Sequence, residues 1–190
     1  MYQVTPSLYN AYYWYRNSKS SSKEDFLKIL NREPTEQTEL MLKGIEFENM
    51  IEEETRTAEL TGNEAVDEIA SMVADGEWQK SVNGMLDKWQ LSGRIDVYFP
   101  YQIYDIKYCE KYELEKYKYS IQHLVYMYCT MVWNFEYLIY SEKDRQLYKE
   151  SYIWDSQAQE LLRSRLNELT EFIFGVPEFR EAYLEHWVTK

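Results

Sequence analysis

Residues 92–108 read SGRIDVYFPYQIYDIKY, two strand-like runs joined at a proline. Ile95, Val97 and Phe99 share one face of a strand, and Arg94, Asp96 and Tyr98 share the other, because successive strand side chains point to opposite sides. Further on, Tyr104, Ile106 and Tyr108 share a face, with Ile103, Asp105 and Lys107 on the opposite one. Pro100 suits the second position of a tight turn over residues 99–102, since its ring presets the backbone angle needed there. A hairpin closed on that turn sets Asp96 opposite Asp105. Directly opposed side chains sit roughly 5 Å apart, and like charges at that spacing destabilise a sheet. Asp is also depleted in strands. A hard divalent cation offsets both costs, because Mg²⁺ takes oxygen ligands from one or two carboxylates together with substrate phosphate. The plain alternative is a solvated hairpin face on which Lys107 pairs with one of the acids.

Outward from the hairpin, residues 82–86 read as a preceding strand, with 91–99 and 102–108 as the hairpin strands. A long helix is expected over about 113–133, where no Pro or Gly intervenes. Strands follow at 135–140 and 147–154. A helix over 157–174 turns Leu161, Leu162, Leu166, Leu169 and Phe172 inward, and a short one ends the chain over about 177–187. Toward the N-terminus, a helix from about residue 63 to 74 stops at Asp75-Gly76. The stretch 35–58 is helical, with Leu40, Gly44, Phe47 and Ile51 at helical spacing and Thr35 or Thr38 as caps. A short helix over 23–30 opens with Glu24-Asp25 and ends before Pro34. The aromatic segment 9–15 caps the core. Helices around a central mixed sheet give an α/β or α+β fold. With no repeat or dividing linker, 190 residues make one domain. Its N-terminal aromatic and helical cap spans about 1–34, and its C-terminal helical tail about 155–190.

Hydrophobic residues at 45% and charged residues at 28% are ordinary for a folded chain and exclude disorder as the main state. Two cysteines exclude a disulfide framework and a four-thiolate zinc or iron–sulfur site. No apolar run nears the roughly 20 residues that cross a bilayer. The opening MYQVTPSLYNAYYWY lacks the basic and aliphatic regions of a signal peptide. The expectation is a soluble cytoplasmic protein without membrane contact. Net charge −12 argues against coating nucleic acid with the whole surface, though a local basic cleft stays compatible. Lys107, Lys111, Lys116 and Lys118, interleaved with Tyr108, Tyr112, Tyr117 and Tyr119, form such a neighbourhood. The lysines could meet phosphates and the rings could stack on bases. The alternative is a solvated, tyrosine-rich helix start balanced by Glu110, Glu113 and Glu115. His123, His186, Cys109 and Cys129 offer no nucleophile–base pair.

Two further features bear on chemistry. Glu48 stands four residues after Gly44 and three before Ile51, on the border of a buried helical stripe; taken by itself it reads as a plain boundary acid in a helix that also carries Glu46, Glu52, Glu53 and Glu54. Gly44 costs that helix about 1 kcal/mol relative to Ala, which suits a close backbone or ligand approach. Gln122 and Tyr126 project from one helix face. Their amide and hydroxyl can bond phosphate oxygens, or they can belong to a plainly aromatic face with Leu124, Tyr128 and Met131.

In order, Gly44 with Glu48, Gly93 with Asp96, Asp105-Ile106-Lys107, and Gln122 with Tyr126 resemble the motifs of the PD-(D/E)XK nuclease superfamily. Within it they are similar to the branch of RecB-type, Cas4-type and phage exonuclease domains. The opening TPSLYNAYYWY, around Ser7 and Asn10, looks like the aromatic first segment of that branch, and the resemblance covers about residues 5–140. Cys109 and Cys129 alone cannot hold a Cas4-like cluster, and Glu48 stands where RecB-type domains have His. No helicase motif or Walker loop is present. The resemblance implies a restriction-endonuclease-like core. It implies that Glu48, Asp96, Asp105 and the main-chain carbonyl of Ile106 hold Mg²⁺ or Mn²⁺, with Lys107 beside the reacting water and Gln122 and Tyr126 positioning DNA. The implied activity is a deoxyribonuclease, an exonuclease of phage or mobile-element recombination or replication, with a recombinase or single-strand-annealing protein as possible partner. The alternative is a silent nuclease-fold protein that binds DNA or assembles with proteins.

Overall fold

A computed structural model describes residues 1–188; residues 189–190, the last two of the expected tail, lie outside the described residues. The elements run β1 (Tyr2–Val4), α1 (Pro6–Asn17), α2 (Lys23–Leu30), α3 (Glu39–Thr57), α4 (Glu64–Val73), β2 (Glu77–Leu86), β3 (Trp89–Tyr98), β4 (Ile103–Cys109), α5 (Gln122–Thr130), β5 (Asn134–Ser141), β6 (Gln146–Ile153), α6 (Ala158–Gly175) and α7 (Pro177–His186). Helices thus flank a mixed sheet of six strands ordered β1-β3-β4-β5-β6, with β2 also on β3. No helix among the described residues is long and apolar enough to cross a membrane.

Local chemistry sets the helix starts. Thr5 caps α1, and Pro6 opens its first turn, where a missing N–H costs nothing. Ser22 and Asp25 form a capping box at α2. Thr38, not Thr35, caps α3, and Asn63 caps α4.

The sheet separates two cores. Ile103, Cys109, Phe135, Tyr137 and Ile139 pack with α1, α2, α5, α6 and α7 residues such as Leu8, Phe26, Val125, Leu166 and Phe179. Ile106 and Leu138, on the alternate positions, pack with Phe47 and Ile51 of α3 and Ile69 and Val73 of α4. Burying apolar side chains on both faces supplies the main drive to fold. Many tyrosines serve this packing: Tyr12, Tyr137 and Tyr183 are almost wholly buried.

The strand that organises the site is β3. Along one edge it pairs antiparallel with β2 from Tyr98 to Trp89. Its other edge is shared. β1 pairs in parallel with Trp89, Gln90 and Leu91, and β4 pairs antiparallel with Val97 and Tyr98. Between Leu91 and Val97 that second edge has no strand partner, and a fork opens there.

Several expectations need correction. Of the helix expected over 113–133, only Gln122–Thr130 forms. Residues 113–120 are a series of turns bonded three apart, as in Lys116 N to Glu113 O at 3.2 Å, with Glu115 in the left-handed region at φ 59°. Tertiary contacts hold them so. Arg165 of α6 donates to the carbonyls of Ser120 and Lys118 at 2.9 and 3.0 Å, and Tyr117 stacks on Tyr137. Leu40 and Leu161, expected inward, are 40% and 43% exposed. Leu40 sits on the first turn of α3, N-terminal to its packed part at Phe47 and Ile51, and Leu162 takes the buried place beside Leu161. The strand expected at 82–86 begins at Glu77, and the aromatic segment 9–15 lies within the helix α1, with the short strand β1 ahead of it.

Candidate active site

The hairpin forms in the expected register. Phe99 N donates to Gln102 O at 2.8 Å across the Pro100-Tyr101 turn, and Val97 faces Tyr104 while Tyr98 faces Ile103. The next pair would be Asp96 with Asp105, and there the strands part. Asp96 Oδ2 instead accepts from the backbone N–H of Ile106 at 2.9 Å. On its other side, Asp96 is opposite Gln79 of β2. That ladder keeps one register from Glu77 to Leu86, yet it is interrupted at Gln79, whose φ is +53°. Pairing therefore fails on both sides of Asp96, and a carboxylate replaces a strand as the partner of β4.

Asp105 is fully buried. Its Oδ1 accepts from Gln122 Nε2 at 2.6 Å, and its Oδ2 forms an ion pair with Lys107, two residues on along the same face. Burial and the nearby Asp96 push the Asp105 carboxyl above its ordinary value, which Lys107 opposes. Burial works against the Lys107 ammonium, but Asp105 and Asp96 hold it above its usual range. Glu48 of α3, half-buried, accepts from Gln79 Nε2 at 2.6 Å. Burial and Asp96 raise its carboxyl, while Gln79, Lys107 and Arg94 act the other way. Glu48, Asp96, Asp105 and Lys107 thus lie within one electrostatic neighbourhood, brought from α3, β3 and β4.

Gln122 and Tyr126 share a face of α5, as their spacing requires. Gln122 holds Asp105, and Tyr126 donates its hydroxyl to Arg94 O at 2.6 Å across the open edge of β3. The Tyr126 ring lies on Gly93, where an added Cβ would stand 2.5 Å from Cε1. Gly44 is different: a Cβ there would meet Tyr108 Cβ at 3.6 Å, an ordinary contact, so no close approach demands that glycine.

Beside these groups lies a cleft of about 620 Å³ lined by Ser7, Asn83, Arg94, Asp96 and Gln122 among others. Ser7 reaches it from the first turn of α1; Asn10, one turn on, does not line it. The basic, tyrosine-rich stretch is more committed than its composition shows. Tyr112, Tyr117 and Tyr119 stack on Tyr148, Tyr137 and Tyr13, Tyr108 packs on Phe47, and Lys118 pairs with Glu115. Burial pushes His123 down to about 3 and Cys129 up to about 12, so neither is an acid–base or thiolate group at neutral pH.

No three His, Cys, Asp or Glu side chains among the described residues gather closely enough to hold a metal ion as they stand. The donor chemistry does fit a hard cation. The acids supply only oxygen, and Asp96 and Glu48 both press the Asp105 carboxyl upward, a repulsion that a divalent ion would relieve. Gln79 is the site residue that sequence reading missed. No local signal marks it, because its left-handed backbone departs from an otherwise regular strand.

No protein-family model matches the sequence, and no curated protein matches it significantly. Solved structures do. LHK-Exo, an alkaline exonuclease from Laribacter hongkongensis solved in complex with dAMP, is 13% identical over 96% of this chain and 92% of its own, with a TM-score of 0.56. A candidate exonuclease from Eubacterium rectale is 14% identical over 97% of this chain and 82% of its own, with a TM-score of 0.55. At these identities the likeness concerns architecture, and it extends over nearly the whole chain: the protein has the fold of these exonucleases.

Proposed function

We propose that this protein is a metal-dependent deoxyribonuclease that hydrolyses DNA phosphodiester bonds, an exonuclease of phage or mobile-element recombination or replication. The observation that carries the reading is the convergence of Glu48, Asp96, Asp105 and Lys107 at the β3 fork, within an exonuclease fold. The motif order, which resembles the PD-(D/E)XK superfamily, supports it. In this reading one domain acts on DNA in the cytoplasm, with a recombinase or single-strand-annealing protein as companion. No iron–sulfur cluster takes part.

Glu48, Asp96, Asp105 and the Ile106 carbonyl would hold Mg²⁺ or Mn²⁺. The ion would lower the pKa of a bound water and offset phosphate charge. Lys107, charged and beside Asp105, would stand next to the reacting water and stabilise negative charge developing on the phosphate. Gln122 fixes the Asp105 carboxylate, and with Tyr126 it meets the DNA backbone from the cleft wall. Ser7 and Arg94 add polar and positive character to that wall. An acidic exterior, net charge −12, around a cleft that carries Arg94 favours a strand end over coating of a duplex.

A second reading, a silent nuclease fold that binds DNA or proteins, draws on one observation: Asp105 is already satisfied by Lys107 and Gln122. One experiment separates the two. Purified protein is incubated with Mg²⁺ or Mn²⁺ on matched linear and closed-circular DNA, beside Asp105→Ala and Lys107→Ala. Loss of linear DNA alone, abolished in both folded variants, supports the exonuclease. Cutting of the circle makes it an endonuclease. Absence of cleavage of either substrate by the wild-type chain leaves the binding module.

A further inference from the structure

We propose that Gln79 is a positioning residue that fixes the Glu48 carboxylate for a divalent cation. The inference rests on the site reading above and adds a residue that none of its motifs contains.

Three observations carry it. First, Gln79 Nε2 meets Glu48 Oε1 at 2.6 Å. An ionised carboxylate only accepts, so the amide must present its NH₂ there. One Glu48 oxygen is thereby held and the other left for a ligand. Second, Gln79 has a left-handed backbone inside a strand, with ladder pairs on both sides of it. The other non-glycine residues with positive φ among those described, Arg32, Ala58, Asp87, Glu115, Met131 and Arg145, all lie at helix ends, in turns or in loops. A long side chain in that conformation is strained, and such strain collects where surrounding structure imposes it for function. The register is the same on both sides of Gln79, so the distortion serves no change of pairing. Third, Gln79 Oε1 is buried without a hydrogen-bond partner, a further cost that packing alone does not explain. Strain, a broken ladder and an unsatisfied acceptor are all borne at the one residue that reaches Glu48.

Outer hydrogen bonds of this kind orient ligands, and their removal typically weakens metal affinity about 10–100-fold. Gln79→Gly removes the amide and suits a positive φ; Gln79→Asn keeps an amide, tolerates that φ and is too short to reach. Mn²⁺ affinity is measured by calorimetry on the metal-free chain, alongside its thermal midpoint. Both variants are expected to hold or raise the midpoint and to bind Mn²⁺ about 10–100-fold more weakly. In a Glu48→Ala background, Gln79→Gly is expected to change affinity no further. A scaffold role predicts a lowered midpoint and a loss that does not depend on Glu48. Wild-type binding with undiminished affinity in both variants, or an equal loss with and without Glu48, overturns the inference while sparing the site. No Mn²⁺ binding by the wild-type chain overturns both.

Discussion

Alanine at the two motif glycines should change stability with opposite signs. In Gly93→Ala the new Cβ stands 2.5 Å from Tyr126 Cε1 and 3.4 Å from Cζ and the hydroxyl. The ring cannot retreat freely. It is 4% exposed, its hydroxyl is bonded to Arg94 O, and Phe135 lies behind it at 6.4 Å between centroids. Overpacking of this kind costs about 1–3 kcal/mol. For a chain of this size each kcal/mol moves the thermal midpoint by about 2–4 °C, so a fall of about 2–12 °C is expected. In Gly44→Ala the Cβ meets Tyr108 Cβ at 3.6 Å, ordinary contact, inside the helix α3. Alanine gains up to about 1 kcal/mol over glycine in a helix, which raises the midpoint by about 2–4 °C. Thermal unfolding followed by circular dichroism reads both. Tyr126→Ala supplies the control: the ring is gone, so adding Gly93→Ala should cost much less than in the wild-type chain. A Gly93→Ala protein as stable as wild type, or a penalty that persists without the ring, would refute the argument.

Thr170→Val leaves the Trp89 indole N–H, now bonded to Thr170 Oγ1 at 2.9 Å in the core, without an acceptor. A loss of about 1–3 kcal/mol is expected in urea unfolding, with Thr170→Ser close to wild type. Because the folded Asp105 carboxyl titrates above its ordinary 3.8, its neutral form is the one the fold favours. Its contribution to stability is full below that value and falls as pH rises through the folded value. Asp105→Asn should therefore flatten the decline of the metal-free midpoint with rising pH. Glu48, shifted the same way, leaves a residual slope, and an undiminished slope in the variant counts against the assignment. Arg165→Ala removes the two bonds that clamp the carbonyls of Lys118 and Ser120. Amide exchange over residues 110–121 should accelerate while β4 and β5 stay protected; unchanged exchange there would mean that the tyrosine stacks alone hold the segment.

The hairpin, its turn and its register were legible in the residues alone, because alternation of period two and a proline preset for the turn act over a few residues. So were the starts of α2 and α4, which side-chain caps at Ser22 and Asn63 fix within a turn, and the mixed α/β class. Gly93, Asp96, Asp105, Gln122 and Tyr126 could be read as a set; in the structure Gln122 bonds Asp105 and Tyr126, the Tyr126 ring lies on Gly93, and Asp96 bonds the backbone of Ile106 instead. The rest lies where distant groups override local preference. Residues 113–120 have no helix breaker, yet Arg165 and Tyr137, far along the chain, hold them in turns. The expected Asp96–Asp105 pair became a side-chain bond to Ile106 N, because β1 and β4 divide one edge of β3 and leave it open between them. Gln79 reaches Glu48 through a left-handed backbone, which no pattern of residue types records. Local periodicity specifies which face a side chain takes; only the packed fold specifies which distant group it meets there.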